Sequence, residues 1–147
     1  MPSDSPHIHL LVSGFVDEGL LLPHSVQDIE AAIGDYVVVV DRHDRVQACA
    51  ALVEYSPSLA EVASVAVARD AQGNGLGSMA VRSVEALARR RDVGELFALS
   101  LATGFFVALG YELTPLARFP EKVARNDVLA ARGIALTPKA CFRKSLT

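Results

Sequence analysis

The chain has 147 residues, of which 51% are hydrophobic and 21% charged, with a formal net charge of −3. That size suits one domain with a sizeable core, and that composition excludes a disordered chain. A net negative charge gives no electrostatic support to nucleic-acid binding, and two cysteines, Cys49 and Cys141, are too few for a disulfide framework or a cysteine-rich metal site. No apolar run approaches the roughly 20 residues of a membrane span, and no signal-peptide pattern opens the chain. A cytoplasmic protein with neither a nucleic-acid nor a membrane partner is the expectation.

Residues 1 to 5 are polar and expected to be loose. Ser5 before Pro6 reads as a helix start. Ile8, Leu11, Val12 and Phe15 follow at helical spacing, with Gly19 as the stop. After LLLPHS, broken by Pro23, Ser25 and Asp28 form a capping box for a short helix whose stripe is Val26, Ile29 and Ile33, ended by Gly34. The valine run from Tyr36 to Val40 predicts a strand buried on both faces. Asp41 to Arg45 is a turn, Val46 to Tyr55 a second strand with Cys49 in its core, SPSL a second turn, and Glu61 to Ala68 a third strand. Short connections predict an antiparallel meander.

After QGNGLG the period becomes helical, with Ala80, Val81, Val84, Leu87 and Ala88 as the buried stripe and Arg82, Glu85, Arg89 and Arg90 largely outside it. Glu95 to Ser100 is a fourth strand, and the strand–helix–strand order suits a parallel crossover. Phe105 to Leu109 reads as a short helix ended by Gly110, and Tyr111 to Leu113 as a last strand. From Pro115 onward the pattern weakens. Lys122, Arg125, Arg132, Lys139, Arg143 and Lys144 cluster late, either as a solvated surface or as recognition of an anionic substrate or cofactor.

The segment Gln72-Gly73-Asn74-Gly75-Leu76-Gly77 between strand and helix is the central feature. Glycines permit positive φ and let several backbone N–H groups converge, and the following helix adds unpaired N–H groups and its dipole. Together these suit a phosphate or pyrophosphate. The loop lacks the Lys-Ser/Thr of a P-loop and has GxGxG spacing instead of the GxGxxG of a dinucleotide fold. A plain tight turn remains the other reading.

Gln72-x-x-Gly75-x-Gly77 after Val65-Ala66-Val67 resembles the acetyl-CoA signature of the GNAT-superfamily N-acetyltransferases. Phe105-Phe106 and Gly110-Tyr111 resemble that family's Phe-Tyr-x-x-x-Gly-Phe element. The resemblance implies an α+β fold, a mixed β-sheet flanked by helices that splays open after the third strand. It places coenzyme A in the V, the pyrophosphate on the glycine loop and the pantetheine beside Val65 and Val67. LVSGFVDEGLLLPHS, ACAAL, AEVASVAV, LFALS, GFF and FPEKV are further similar to the acetyltransferase domain of N-acetylglutamate synthase and its short bacterial relatives, over residues 8 to 123. The chain departs from that pattern in lacking the usual first strand, in carrying His24 where a basic residue precedes the serine, and in keeping only Cys141 of a cysteine-rich stretch. One N-acetyltransferase domain over residues 1 to 147 follows, with 118 to 147 as a variable extension.

The implied chemistry is direct acetyl transfer from acetyl-CoA to a small amine such as glutamate. Another amine, a protein N-terminus, or a catalytically silent acyl-CoA-binding regulatory domain are the alternatives. The amine must lose a proton, the oxyanion needs a donor, and the thiolate needs an acid. Glu61 is the candidate base, because strand alternation would point it with Ala63, Val65 and Val67. The backbone N–H of Val65 or Val67 is the oxyanion donor. Phe106 stands where relatives have a tyrosine acid, which leaves Ser100 and, more weakly, Tyr111. Val65, Ala66, Val67, Gln72, Gly73, Asn74, Gly75, Leu76, Gly77 and Ser78 form the expected acetyl-CoA site. Lys122, helped by Arg118 or Arg125, is the candidate for an acceptor carboxylate, with His24 and Ser25 lining the same pocket. Each is equally a plain structural or surface residue. His7, His9 and His43 show no metal-ligand spacing, so no metal is expected. A homodimer is left open.

Overall fold

The computed structural model describes residues 4–16, 25–133 and 139–146. The expected stop at Gly19, the break at Pro23, His24 and the side chain of Phe15 lie outside the described residues. The elements are α1 (Ser5–Val16), α2 (Val26–Ala31), β1 (Tyr36–Val40), β2 (Val46–Ser56), β3 (Leu59–Val67), α3 (Leu76–Arg90), β4 (Glu95–Ser100), α4 (Thr103–Ala108), β5 (Glu112–Thr114), α5 (Pro120–Ala131) and β6 (Ala140–Ser145). Among the described residues these strands make one mixed sheet in the order β1-β2-β3-β4-β6-β5, and none precedes α1.

Ser5 is not loose: it begins α1 and is buried. Ile8 and Val12, one helical turn apart, bury their side chains against Ile29 of α2, Cys49 of β2 and Ala66 of β3. The capping box at α2 is present, with Asp28 N–H donating to Ser25 Oγ at 3.0 Å and Ser25 N–H to Asp28 Oδ2 at 3.2 Å. The meander is also present, since β2 pairs antiparallel with both β1 and β3. The expectation for β1 is corrected. Among the described residues it is a sheet edge with β2 as its one strand neighbour, and Tyr36 to Val39 are half-buried and Val40 is exposed. A valine run marks strand propensity, but position in the sheet decides burial.

The crossover through α3 puts β4 parallel to β3, and the pairing lasts only from Leu59 with Glu95 to Glu61 with Phe97. Beyond that point the strands diverge. β4 continues instead beside β6, in antiparallel register from Glu95 with Ser145 to Ser100 with Ala140. β6 also pairs with β5, so the chain's final strand is interior and β5 takes the edge. The sequence pattern past Pro115 hides this strand because it is short and two of its six residues are charged. Phe142 is fully buried beside Phe106, whereas Arg143 reaches Glu95 and Glu112 and Lys144 reaches Glu85.

Glu85 is a second correction, because it is buried instead of lying on the outer face of α3. It accepts the Tyr111 hydroxyl at 2.8 Å and faces Lys144 Nζ at 3.2 Å, and these two donors come from distant segments. Burial of a carboxylate requires such partners, and helical periodicity cannot show them.

If β6 is an interior strand and not a dispensable extension, Phe142→Ala should lower unfolding free energy by about 3–5 kcal/mol, the range for a large aromatic removed from a core. Urea denaturation compared with the wild-type chain measures it, and a loss under about 1 kcal/mol would contradict this placement.

Candidate active site

The glycine loop follows β3 and a single turn of 3-10 helix at Arg69–Ala71. Gly73 and Gly75 have φ of +87° and +75°, the left-handed region that a side chain disfavours. Gln72 Nε2 donates to Val67 O and Asn74 Nδ2 to Ala71 O, each at 3.2 Å, so both amides brace the loop. Gly75 is the N-cap of α3, and neither a side-chain cap nor an acidic residue occupies the first turn. The N–H groups of Leu76, Gly77 and Ser78 therefore have no intrahelical acceptor and stand at the positive end of a 15-residue helix. At Gly77 a Cβ would come within 3.3 Å of the Phe105 ring and 3.4 Å of Val67 Cγ2, so glycine lets the helix start close against α4 and β3.

The strand leading into the loop carries a β-bulge. Ala51 pairs with Ala63 and Cys49 with Ala66, so Ser64 and Val65 together oppose Ala50. Ser64 adopts φ of +54°, and its carbonyl accepts the Cys49 thiol at 3.4 Å. The extra residue resets the alternation of side chains. Ala60 and Val62 pack in the core beneath α3, and so do Val65 and Val67. Ala66 packs on the opposite face, under α1 and α2. Glu61 consequently does not point with Val65 and Val67, and the alternation expected from sequence is corrected by one bulge. Glu61 is instead the last β3 residue paired with β4, at the vertex where the two strands part.

The Glu61 side chain is 8% exposed. Its face carries Leu59, Phe97, Phe119 and Cys141 as a small apolar cluster. Oε1 meets Lys122 Nζ at 2.9 Å and accepts the Tyr55 hydroxyl at 3.0 Å. Arg125, one turn further along α5, donates to the Tyr55 hydroxyl oxygen at 3.4 Å and lies over its ring. Burial, and then the Glu61 charge, hold the Tyr55 proton well above the usual tyrosine range. Burial also pushes the Cys141 thiol up to about 11, with Glu61 adding to the rise and Lys122 opposing it. The Lys139 ammonium is lowered by burial and by Lys122, against the attraction of Glu61.

The glycine loop at the start of α3 and the point where the sheet opens at Glu61 are both carried by β3 and the residues directly after it. Residues 12–111 match the family described as the Acetyltransferase (GNAT) family. The chain belongs to the GNAT acetyltransferase family. It is 34% identical to an uncharacterized N-acetyltransferase of Chlorobaculum tepidum, over 84% of this chain and 79% of that one. It is 30% identical to an amino-acid acetyltransferase of Pasteurella multocida, over 82% of this chain but only 28% of the longer protein. Its fold superposes on N-acetylglutamate synthase from Neisseria gonorrhoeae, complexed with coenzyme A and N-acetyl-glutamate, with TM-score 0.83 and 25% identity, covering 98% of this chain and 33% of that one. A Mycobacterium tuberculosis protein solved in complex with CoA shares the fold at TM-score 0.79 and 24% identity, over 100% of this chain and 96% of that one.

This GNAT acetyltransferase brings some of the expected residues together and separates others. Gln72 to Ser78 form one loop and helix start next to Val67, and Val65, Ala66 and Val67 lie on the β3 arm of the V. Ser100 ends the β4 arm, half-buried, with its hydroxyl accepting from Ala102 N–H at 2.9 Å. Lys122 is neither on a solvated surface nor free for a substrate carboxylate alone, since it is buried against Glu61. Arg118 reaches Glu95 at 3.4 Å and is not beside Lys122's partner. Ser25 is exposed and occupied as a helix cap, and His24 lies outside the described residues. Phe106 is buried between Phe105, Tyr111 and Phe142 and carries no proton to give. Tyr111 gives its hydroxyl proton to the Glu85 hydrogen bond and is buried, which removes it as an acid. Tyr55 is the functional candidate that sequence reasoning missed. A tyrosine at a strand end gives no signal until the partner strand brings Glu61 beside it. Among the described residues no group of three or more His, Cys, Asp or Glu is placed to hold a metal, and no helix is long and apolar enough to cross a membrane.

Proposed function

We propose that the chain transfers acetyl directly from acetyl-CoA to the amine of a free amino acid, with glutamate as the leading acceptor. The observation that carries the reading is the glycine loop at the uncapped start of α3, beside a β-strand arm that has no strand partner on its open side among the described residues. Backbone N–H groups of Gly73 to Ser78 would hold the pyrophosphate, and Val65 to Val67 would lie along the pantetheine. The names and ligands of the relatives support an amino-acid acceptor. Because the chain spans under a third of those longer enzymes, the acceptor is part of the proposal.

In this mechanism Glu61 takes a proton from the acceptor ammonium, which frees the nitrogen lone pair. That pair forms the C–N bond at the thioester carbonyl, and a backbone N–H released at the Ser64 bulge stabilises the oxyanion. The C–S bond then breaks with its electrons on sulfur. The second amine proton ends on that thiolate, with Ser100 as the hydrogen-bond donor nearest this role in the β4 arm. The acceptor's carboxylate would meet the cationic side of α5, where Arg125 stands one turn beyond Lys122.

Release of free thiol from acetyl-CoA should be fastest with glutamate among glutamate, glutamine, a neutral amine and a peptide N-terminus. A catalytically silent acyl-CoA-binding domain is the reading that Phe106 favours, because no tyrosine stands there to protonate sulfur. CoA binding without thiol release for any of the four amines would select that alternative.

Gly75→Val forces a branched residue into φ of +75° at the helix start. CoA affinity should fall at least about tenfold by titration calorimetry while circular dichroism stays native, since the site depends on that backbone turn. Unchanged binding in a folded variant would move the cofactor elsewhere. Glu61→Gln should reduce turnover by roughly 10²–10⁴-fold, most strongly at low pH where less free amine is present, with CoA affinity retained. Wild-type rates at every pH would mean that solution deprotonation of the amine is enough.

A further inference from the structure

Glu61 is cast as a base in a setting hostile to carboxylates. Its neighbours Leu59, Phe97, Phe119 and Cys141 are apolar, and only 8% of its side chain is exposed. A carboxylate enclosed by apolar groups needs an opposite charge or hydrogen bonds to hold it there. Lys122 Nζ meets it directly at 2.9 Å, from a side chain that is itself only 6% exposed. Two long-range elements, β3 and α5, have to pack together for that contact to exist. The remaining titratable and charged groups on this side are Tyr55 of β2, Arg125 of α5, and Lys139 and Cys141 at the start of β6. Tyr55 supplies one neutral hydrogen bond, Arg125 acts through Tyr55, and Lys139 and Cys141 feel the charges of both Glu61 and Lys122. Lys122 makes an ion pair with Glu61 at 2.9 Å.

We propose that Lys122 is a positioning residue for the base: it supplies the opposite charge to the Glu61 carboxylate inside an apolar layer and holds it by Oε1, which turns Oε2 toward the amine proton. The role rests on the reading of Glu61 as the base of an N-acetyltransferase. Lys122 transfers no proton. The acceptor ammonium gives one proton to Glu61 Oε2 and its lone pair forms the C–N bond. The C–S bond electrons leave on sulfur, the second nitrogen proton neutralises the thiolate to give CoA–SH, and Glu61 returns its proton to water. The buried lysine thus serves the acceptor side through Glu61 and not by binding the acceptor's carboxylate.

The test is kcat/KM against pH for the wild-type chain, Lys122→Met and Lys122→Arg at saturating acetyl-CoA, with CoA affinity and circular dichroism as controls for folding. In Lys122→Met the acid limb should move to higher pH by at least about one unit, because the buried carboxylate now lacks its opposite charge. Activity should return toward wild type at the alkaline end. Lys122→Arg keeps a cation and should keep the wild-type limb. A Lys122→Met profile lowered by one factor at every pH overturns the proposal and makes the lysine a packing residue. A raised KM for glutamate with the acid limb fixed also overturns it and makes Lys122 a substrate-binding residue; in both cases the acetyltransferase reading stands. Absence of thiol release by the wild-type chain with every amine overturns the reading itself and the role with it. Should Lys122→Met fail to fold, the double variant Glu61→Gln/Lys122→Met removes both charges and should recover the fold. A double variant as unfolded as the single one overturns the pairing.

Discussion

β3 and β4 stay together for three residue pairs and then part, and most of the molecule's organisation follows from that separation. A strand that leaves its neighbour must satisfy its backbone N–H and C=O groups elsewhere. β4 does so by taking β6 as its second partner along its whole length, which draws the end of the chain into the middle of the sheet. β3 does so on one side only, through β2, and keeps its other side open from Val62 to Val67. The open arm, the bulge at Ser64 and the glycine loop are consecutive in the chain, so one strand and the loop after it deliver the whole cofactor side of the proposed site.

The separation also explains where the buried charges sit. Each face of the sheet holds one enclosed carboxylate with a lysine from the C-terminal part of the chain: Glu85 with Lys144 beneath α3, and Glu61 with Lys122 on the opposite face. In each case a tyrosine hydroxyl completes the set, Tyr111 for the first and Tyr55 for the second. Such pairs contribute little net stability over an apolar pair, yet removing one member strands a buried charge at about 3–5 kcal/mol. They therefore act as register marks. In the observed docking of α5 and β6, both lysines meet their carboxylates. Around Glu85 the arrangement is closed and joins α3, β5's approach and β6. Around Glu61 it lies at the vertex of the opening, where the same chemistry can be turned to proton transfer.

Local rules carried far along this sequence. The capping box at Ser25, the meander of β1 to β3, the stripe of α3 and the glycine punctuation of its start were all legible, because each depends on residues a few positions apart. The GNAT resemblance was legible for the same reason, since the loop and the strand before it form one contiguous segment. The face of Glu61 was not legible. Strict alternation puts it with Val65 and Val67, and only the pairing of β3 with β2 reveals that Ser64 and Val65 share one opposite residue.

The C-terminal third shows the same boundary from the other side. Cys141-Phe142-Arg143-Lys144 carries two apolar and two charged residues in a row, too little pattern to mark an interior strand. Its charges are tolerated because Glu95, Glu112 and Glu85 were already in place from distant segments. By itself the sequence determined the helices before Pro115, the meander, the glycine loop between β3 and α3, and the acetyltransferase family, but not α5. The tertiary structure alone decided that Lys122 belongs to Glu61, that Tyr55 joins them, and that the last strand lies inside the sheet. Lys122 and β6 reach their partners across long stretches of chain, and Tyr55 meets Glu61 only through the register of β2 with β3, so no periodicity records which distant charge will neutralise a buried one.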